Sequence, residues 1–343
     1  MTAADIPALS FPWHEALWSS TTTRLERLPH ALLLQGAVGL GKHAFARRLV
    51  ATLLCAQPGA TAAACGVCHS CQLLTAGNHP DFMSLAPSEE RRSIVIDQVR
   101  ELGAFFALRP HTAGRKVALL TPADGMNLHA ANSLLKMLEE PPGGSVLILV
   151  ASQPARLPAT IRSRCQRLVF PLPERSQALD WLNAQVGASA ELLLDLAAGA
   201  PLKASALAAG GFLASREEFL RDLSLLLAGR GDPLACAKRW KEVGTEASLG
   251  WLTGFIADLI RCLSLGNGRA RVLNPETDGF LQKHKNVLYL NRLFRYLDAV
   301  SNARNGLASG SLDELLILED LLIRWCYMKQ ETPTITNKIR AAS

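Results

Sequence analysis

The chain has 343 residues, 49% hydrophobic and 19% charged, which excludes a disordered chain and supplies apolar material for two or three domains with sizeable cores. Its net charge of +6 permits contact with nucleic acid without demanding it, and a solvated, mildly basic surface is the equally ordinary alternative. The sequence opens with no basic start and apolar core, and no apolar run approaches the roughly 20 residues of a membrane helix. The expected compartment is therefore the cytoplasm, with no membrane partner; there, cysteines serve as metal ligands or buried thiols rather than as disulfides.

Residues 13–25 carry apolar side chains at helical spacing and predict a leading helix. A short apolar strand follows at 30–35, then the Gly-rich stretch GAVGLGKH at 36–43, which opens into a helix running to about Cys55. Residues 56–64 are rich in Pro, Gly and Ala and read as a loop that leads into CGVCHSC at 65–71. A short helix at 72–76, a second strand at 81–85 and a helix at 96–108 come next, with Asp97 placed where an anion suits the helix dipole. A third strand spans 116–121. A helix over 127–140 is stopped by Pro141-Pro142, and strands at 145–151 and 166–170 complete the set. These strands are continuous apolar runs separated by helices, the pattern of a parallel sheet covered on both faces.

Pro171-Leu172-Pro173 marks a boundary. Residues 174–209 form a short helical stretch, and Gly210-Gly211 makes a second break. Beyond it the pattern is helical throughout, over 212–228, 233–243, 249–265, 287–303 and 312–327, with a loose tail at 331–343.

Three constellations carry chemistry. The first is the loop, G-x-x-x-x-G-K, with Gly36, Gly39, Gly41 and Lys42 between a strand and a helix. Backbone amides of such a turn attract phosphate, and Lys42 can reach terminal phosphates. The hydroxyl that would hold magnesium is replaced by His43. The acidic pair expected after the third strand is Thr121-Pro122, and Asp124 stands late, at the start of a helix where capping is the commoner task. Two metal contacts are thus missing together, which argues for a loop kept as structure; Lys42 leaves ATP binding open.

The second is Cys55, Cys65, Cys68 and Cys71, spaced C-x9-C-x2-C-x2-C. Four thiolates at this spacing close a tetrahedral zinc site with no open position, hence a structural one. His69 reads as a solvent-facing neighbour, and Cys165, Cys236, Cys262 and Cys326 as buried thiols. The third is Arg162-Ser163-Arg164-Cys165, between the fourth and fifth strands. An arginine there either reaches a phosphate on a neighbouring subunit or sits as a surface residue in a helix cap. Glu139-Glu140 reads as a pair of solvated charges at a helix end, since adjacent residues do not face one another.

Together, GAVGLGKHAF at 36–45, the cysteine knuckle with Cys55 before it, GNHPD at 77–81, NSLLKMLEEPP at 132–142 and SRC at 163–165 resemble the clamp-loader subunits of the AAA+ class that serve bacterial DNA polymerase III. The motifs cover about 1–210, and the helical remainder is consistent with them. The resemblance implies an α/β AAA+ P-loop core over 1–170 with a zinc module inserted at 55–71. It implies a small helical lid at 171–210 and an all-α collar at 211–330 that assembles a hetero-pentameric ring with tau/gamma and delta subunits. It further implies that Arg164 acts in trans as an arginine finger, and that the chain is a stator-like, non-hydrolysing part of a DNA-directed DNA polymerase holoenzyme. The whole complex would then load the sliding clamp onto primer-template DNA. Lys203, in GAPLK, stands near the place where hydrolysing relatives carry an arginine that senses nucleotide. The alternatives are an ATP-hydrolysing motor subunit of the tau/gamma type, and a zinc-finger protein that reads DNA; for the latter the knuckle is short and poor in Arg and Lys.

Overall fold

The computed structural model describes residues 10–23, 25–88, 93–112, 114–265, 272, 274, 276–284, 286–309 and 313–329. The tail expected at 331–343 lies outside them. The chain divides into two compact units, one of Met1–Ala190 with Gly199–Ala204 and one of Glu191–Ala198 with Ser205–Ser343, so the segment 171–210 is shared between them.

In the first unit, β1 (Ala31–Gln35), β2 (Phe82–Leu85), β3 (Lys116–Leu120), β4 (Ser145–Ala151) and β5 (Gln166–Val169) form one sheet. Its order is β2-β3-β4-β1-β5 and every pairing is parallel. The inner strands read as unbroken apolar runs because both faces are covered. Leu32, Leu34, Val117, Leu119 and Ile148 enter one core, while Leu33, Ala118, Leu120, Leu147 and Leu149 enter the other. Alternation is present, but both destinations are dry.

The helices of this unit are α1 (Glu15–Thr22), α2 (Lys42–Leu54), α3 (His69–Thr75), α4 (Ile96–Ala107), α5 (Leu128–Glu139), α6 (Ala159–Arg164) and α7 (Arg175–Val186), followed by α8 (Ala190–Leu196) and α9 (Pro201–Ala209) at the junction. The leading helix is shorter than its apolar spacing predicts, because Pro12 starts a separate 3-10 turn, Pro12–His14, before α1. Since all strands run the same way, Gln35, Leu120, Ala151 and Val169 end on one side of the sheet. The Gly-rich loop leaves β1 there, between β4 and β5, the crevice where open α/β sheets take ligands.

The second unit is helical: α10 (Phe212–Leu227), α11 (Pro233–Val243), α12 (Thr245–Leu265), α13 (Thr277–His284), α14 (Leu290–Ser309) and α15 (Glu314–Cys326). Phe219, Trp240, Trp251, Phe255 and Trp325 fill its core. Buried Asp222 accepts hydrogen bonds from Trp240 Nε1 (3.1 Å) and Arg239 Nη2 (2.7 Å), so its charge is compensated. Helix α12 is long and apolar enough to cross a membrane by length and composition. Trp251, Leu252, Phe255, Ile256 and Leu259 of that helix are buried in this core, which accounts for its apolar character.

Candidate functional site

The Gly-rich loop is held by its own chain at every turn. Lys42, only 5% exposed, donates from Nζ to the carbonyls of Gly36 (2.8 Å) and Ala37 (2.6 Å). Burial pulls its ammonium down to about 8, with the negative charge of Asp124 opposing the shift. Trp13 Nε1 donates to the Leu40 carbonyl at 3.0 Å, and His14 Nε2 meets the same oxygen at 2.7 Å. That carbonyl requires the Nε2–H tautomer, and burial holds the His14 imidazole below its ordinary pKa. Leu202 N donates to Gly39 O at 3.1 Å.

The loop glycines are needed for space. A Cβ on Gly36 would stand 2.6 Å from Phe170 O, one on Gly39 2.6 Å from Lys203 N, and one on Gly41 2.7 Å from the Phe11 ring. Phe11, Trp13 and Trp181 form a cluster of stacked and edge-on rings beside the loop. His43 is half-buried, and desolvation together with Arg47 keeps its imidazole below the usual range and hence neutral.

Asp124 does not cap the following helix, as its position predicts. A 3-10 turn, Ala123–Gly125, intervenes, and the cap of α5 is Asn127, whose side chain accepts from Ala130 N at 2.8 Å. Asp124 Oδ2 instead accepts from Ser152 N (3.2 Å) and Gln153 N (2.6 Å), tying the end of β3 to the end of β4. Its Oδ1 is buried with no hydrogen-bond partner.

The four predicted cysteines converge. Cys55 ends α2, Cys65 and Cys68 sit on the knuckle, and Cys71 lies in α3; their sulfur atoms are all within 4.8 Å of one another. Cys55 and Cys68, and likewise Cys65 and Cys71, have sulfurs 4.0 Å apart, close to the ~3.8 Å edge of a tetrahedron with ~2.3 Å metal–sulfur bonds. Backbone amides aim at these sulfurs: Cys65 N at Cys55 Sγ (3.3 Å), Cys68 N at Cys65 Sγ (3.4 Å) and Cys71 N at Cys68 Sγ (3.5 Å). Burial pushes the Cys68 thiol up, but the amides of Cys71 and Ala56 outweigh it and bring it down to about 6. Burial and the neighbouring Cys68 push Cys71 up to about 12. A donor set that cannot ionise together without a cation is the chemistry of a metal site. His69 is exposed and lies outside the cluster. Of the other cysteines, Cys165, Cys236 and Cys262 are buried as predicted, while Cys326 is only half-buried.

The GNHPD stretch anchors this module. Ser70 Oγ donates to Leu54 O at 2.6 Å and accepts from His79 Nε2 at 2.6 Å, while His79 Nδ1 accepts from Asp81 N at 3.0 Å. The ring thus donates to the serine, which is the wrong tautomer for a general base, so the trio joins α2, α3 and β2 and has no catalytic role. Fully buried Asp81 accepts from His111 N (2.7 Å) and Thr112 N (2.8 Å) and faces Lys116 Nζ at 3.5 Å.

Arg164 closes α6. Its Nη1 donates to Thr160 O at 3.1 Å and its Nη2 lies 2.7 Å from Glu139 Oε1. Glu139 stays exposed, as its place at a helix end predicts, and in addition is ion-paired with Arg164.

The chain matches the family model described as DNA polymerase III, delta subunit, over residues 16–174, and the model for the C terminal of that subunit over 210–326. It is 37% identical to the DNA polymerase III subunit delta' of Pseudomonas aeruginosa over 327 residues, covering 92% of this chain and 97% of that protein. It is 35% identical to the subunit delta' of Escherichia coli over 299 residues, 86% of this chain and 88% of the relative. The chain belongs to the DNA polymerase III delta' family. With the DNA polymerase III subunit tau of Salmonella typhimurium it shares 35% identity over only 141 residues, 41% of this chain and 21% of that protein.

Within this delta'-family fold the predicted residues occupy separate places. Gly36, Gly39, Gly41 and Lys42 share the loop, the four cysteines share the knuckle, and Arg164 stands alone at the end of α6. Sequence reasoning missed Glu139 as the partner of Arg164, and the contact of Lys203 with Gly39. Neither has a local signal, because both pairs are remote in the chain.

Proposed function

We propose that this chain is a non-hydrolysing, stator-like subunit of the clamp loader of a bacterial DNA polymerase III. It sits in a hetero-pentameric ring with tau/gamma and delta subunits, and the ring loads the sliding clamp onto primer-template DNA. The chain contributes structure and one arginine, while nucleotidyl transfer belongs to the polymerase part of the holoenzyme. Its working division is an AAA+ core at 1–170, a lid at 171–210 and a collar at 211–330, and its compartment is the cytoplasm. The Cys55, Cys65, Cys68 and Cys71 thiolates hold a structural zinc that ties the end of α2 to α3. Arg164, on the exposed end of α6, acts as the arginine finger for a neighbour's ATP site.

The observation that carries this reading is the engagement of the loop by its own chain. Lys42 Nζ is spent on the carbonyls of Gly36 and Ala37, with His43 in place of the hydroxyl and Thr121-Pro122 in place of the acidic pair. A triphosphate entering the loop has to displace Lys42 and still lacks its magnesium ligands. The purified chain is expected to show no DNA-stimulated ATP turnover. Turnover that Lys42→Ala abolishes overturns the reading in favour of a motor subunit of the tau/gamma type.

A further inference from the structure

The trans role proposed above for Arg164 raises the question of what holds that side chain in place. Glu139 is the last residue of α5, where Pro141-Pro142 prevents the helix from continuing. A carboxylate at a helix C-terminus is disfavoured by the helix dipole, so a glutamate there gains most from a cation of its own. It has one in Arg164 Nη2 at 2.7 Å, and Arg164 Nη1 is simultaneously fixed on Thr160 O at 3.1 Å. Thr160 belongs to the same short helix as Arg164, and Leu138 of α5 and Ile161 of α6 are buried in the same core. The pair is not sealed from solvent, since the side chains of Arg164 and Glu139 are 36% and 52% exposed.

We propose that Glu139 is the positioning residue for Arg164. An arginine has many rotamers and five N–H donors in a planar fork. Two bonds from its own chain select one pose and leave the remaining N–H groups for the phosphate oxygens of the nucleotide bound by the adjacent subunit. The cost of ordering the side chain is met before the subunits meet, so the benefit belongs to the rate of hydrolysis on the neighbour and not to the affinity of that neighbour for ATP.

The test is steady-state, DNA-stimulated ATP hydrolysis by the reconstituted loader carrying wild-type chain, Glu139→Ala, Glu139→Gln, Arg164→Ala or the Glu139→Ala/Arg164→Ala double variant. Glu139→Ala is expected to lower kcat about two- to fivefold with KM for ATP unchanged, the size expected for one exposed ion pair. Glu139→Gln keeps a hydrogen-bond acceptor and is expected to recover part of the loss. In the Arg164→Ala background, Glu139→Ala is expected to change nothing further. Wild-type kcat in Glu139→Ala overturns the proposal. So does an equal loss in both backgrounds, which is what a general folding defect produces. If Arg164→Ala itself hydrolyses at the wild-type rate, it is the trans role that falls, and the positioning role falls with it.

Discussion

Gly39→Ala tests whether the Gly-rich loop is kept for structure. Gly39 has φ +86, and an added Cβ would meet Lys203 N at 2.6 Å, Lys203 Cβ at 2.6 Å and Lys203 Cα at 3.1 Å. Most of these are backbone or backbone-proximal atoms that cannot swing aside. Alanine in a left-handed conformation costs ~1–2 kcal/mol. Moving Lys203 away also breaks the 3.1 Å bond from Leu202 N to Gly39 O, a further ~1 kcal/mol. Buried Ala200 and Ala204 flank the displaced backbone, so their packing loosens too. The expected loss is ~2–4 kcal/mol in all. At a urea slope of ~2–3 kcal/mol/M it appears as a midpoint lowered by ~1 M. Tryptophan fluorescence is a fitting readout, because Trp13 and Trp181 lie beside the loop. Gly77→Ala is the control, with φ +77 and nothing within 4 Å of its added Cβ. It carries the conformational cost without the collision. If Gly39→Ala loses no more stability than Gly77→Ala, the steric reasoning is refuted.

Removing metal from the cysteine cluster with a strong chelator is expected to lower the melting temperature of the whole first unit, because Ser70 and His79 tie the knuckle to α2 and β2. Metal analysis of the dialysed chain followed by calorimetry checks this, and an apo protein with its full melting temperature refutes it. Acid is expected to destabilise the fold through His14 and His79, whose burial holds both imidazoles below their ordinary value of 6.5. The unfolded chain then takes up protons first as pH falls through about 6.5, so stability present above that pH drains away until the folded pKa values are passed. Urea titrations at about pH 7.5 and about pH 5.5 measure the difference, and equal or greater stability at the lower pH refutes it.

The sheet was legible because its strands announce themselves as unbroken apolar runs between helices, and the end of α5 before Pro141-Pro142 was legible from the geometry of proline. The cysteine site was legible because three of its four donors are separated by single helical or knuckle turns. What escaped was set by tertiary contact or by short elements. The six-residue helix Ala159–Arg164 and the eight-residue helix Thr277–His284 are too short for periodicity to declare. Asp124 was misread because a 3-10 turn shifts the cap of α5 to Asn127. Glu139 is exposed as its helix-end position predicts, but its ion pair escaped because the partner, Arg164, comes from another helix.

The loop also shows why a motif can outlive its chemistry. In a working phosphate loop the glycines let the backbone approach a phosphate. Here the same positions admit Phe170 O, the Lys203 backbone and the Phe11 ring, all parts of this chain, so a side chain at Gly36, Gly39 or Gly41 would collide whether or not nucleotide ever binds. Lys42 obeys the same logic. Its buried ammonium, brought down to about 8, is still mostly charged at neutral pH, and it holds two carbonyls that would otherwise point into the turn unpaired. Position 43 has no such internal duty, because a hydroxyl there serves only the metal. If hydrolysis is done by a neighbour, as proposed above, nothing in this chain requires a hydroxyl at that position, and it holds histidine.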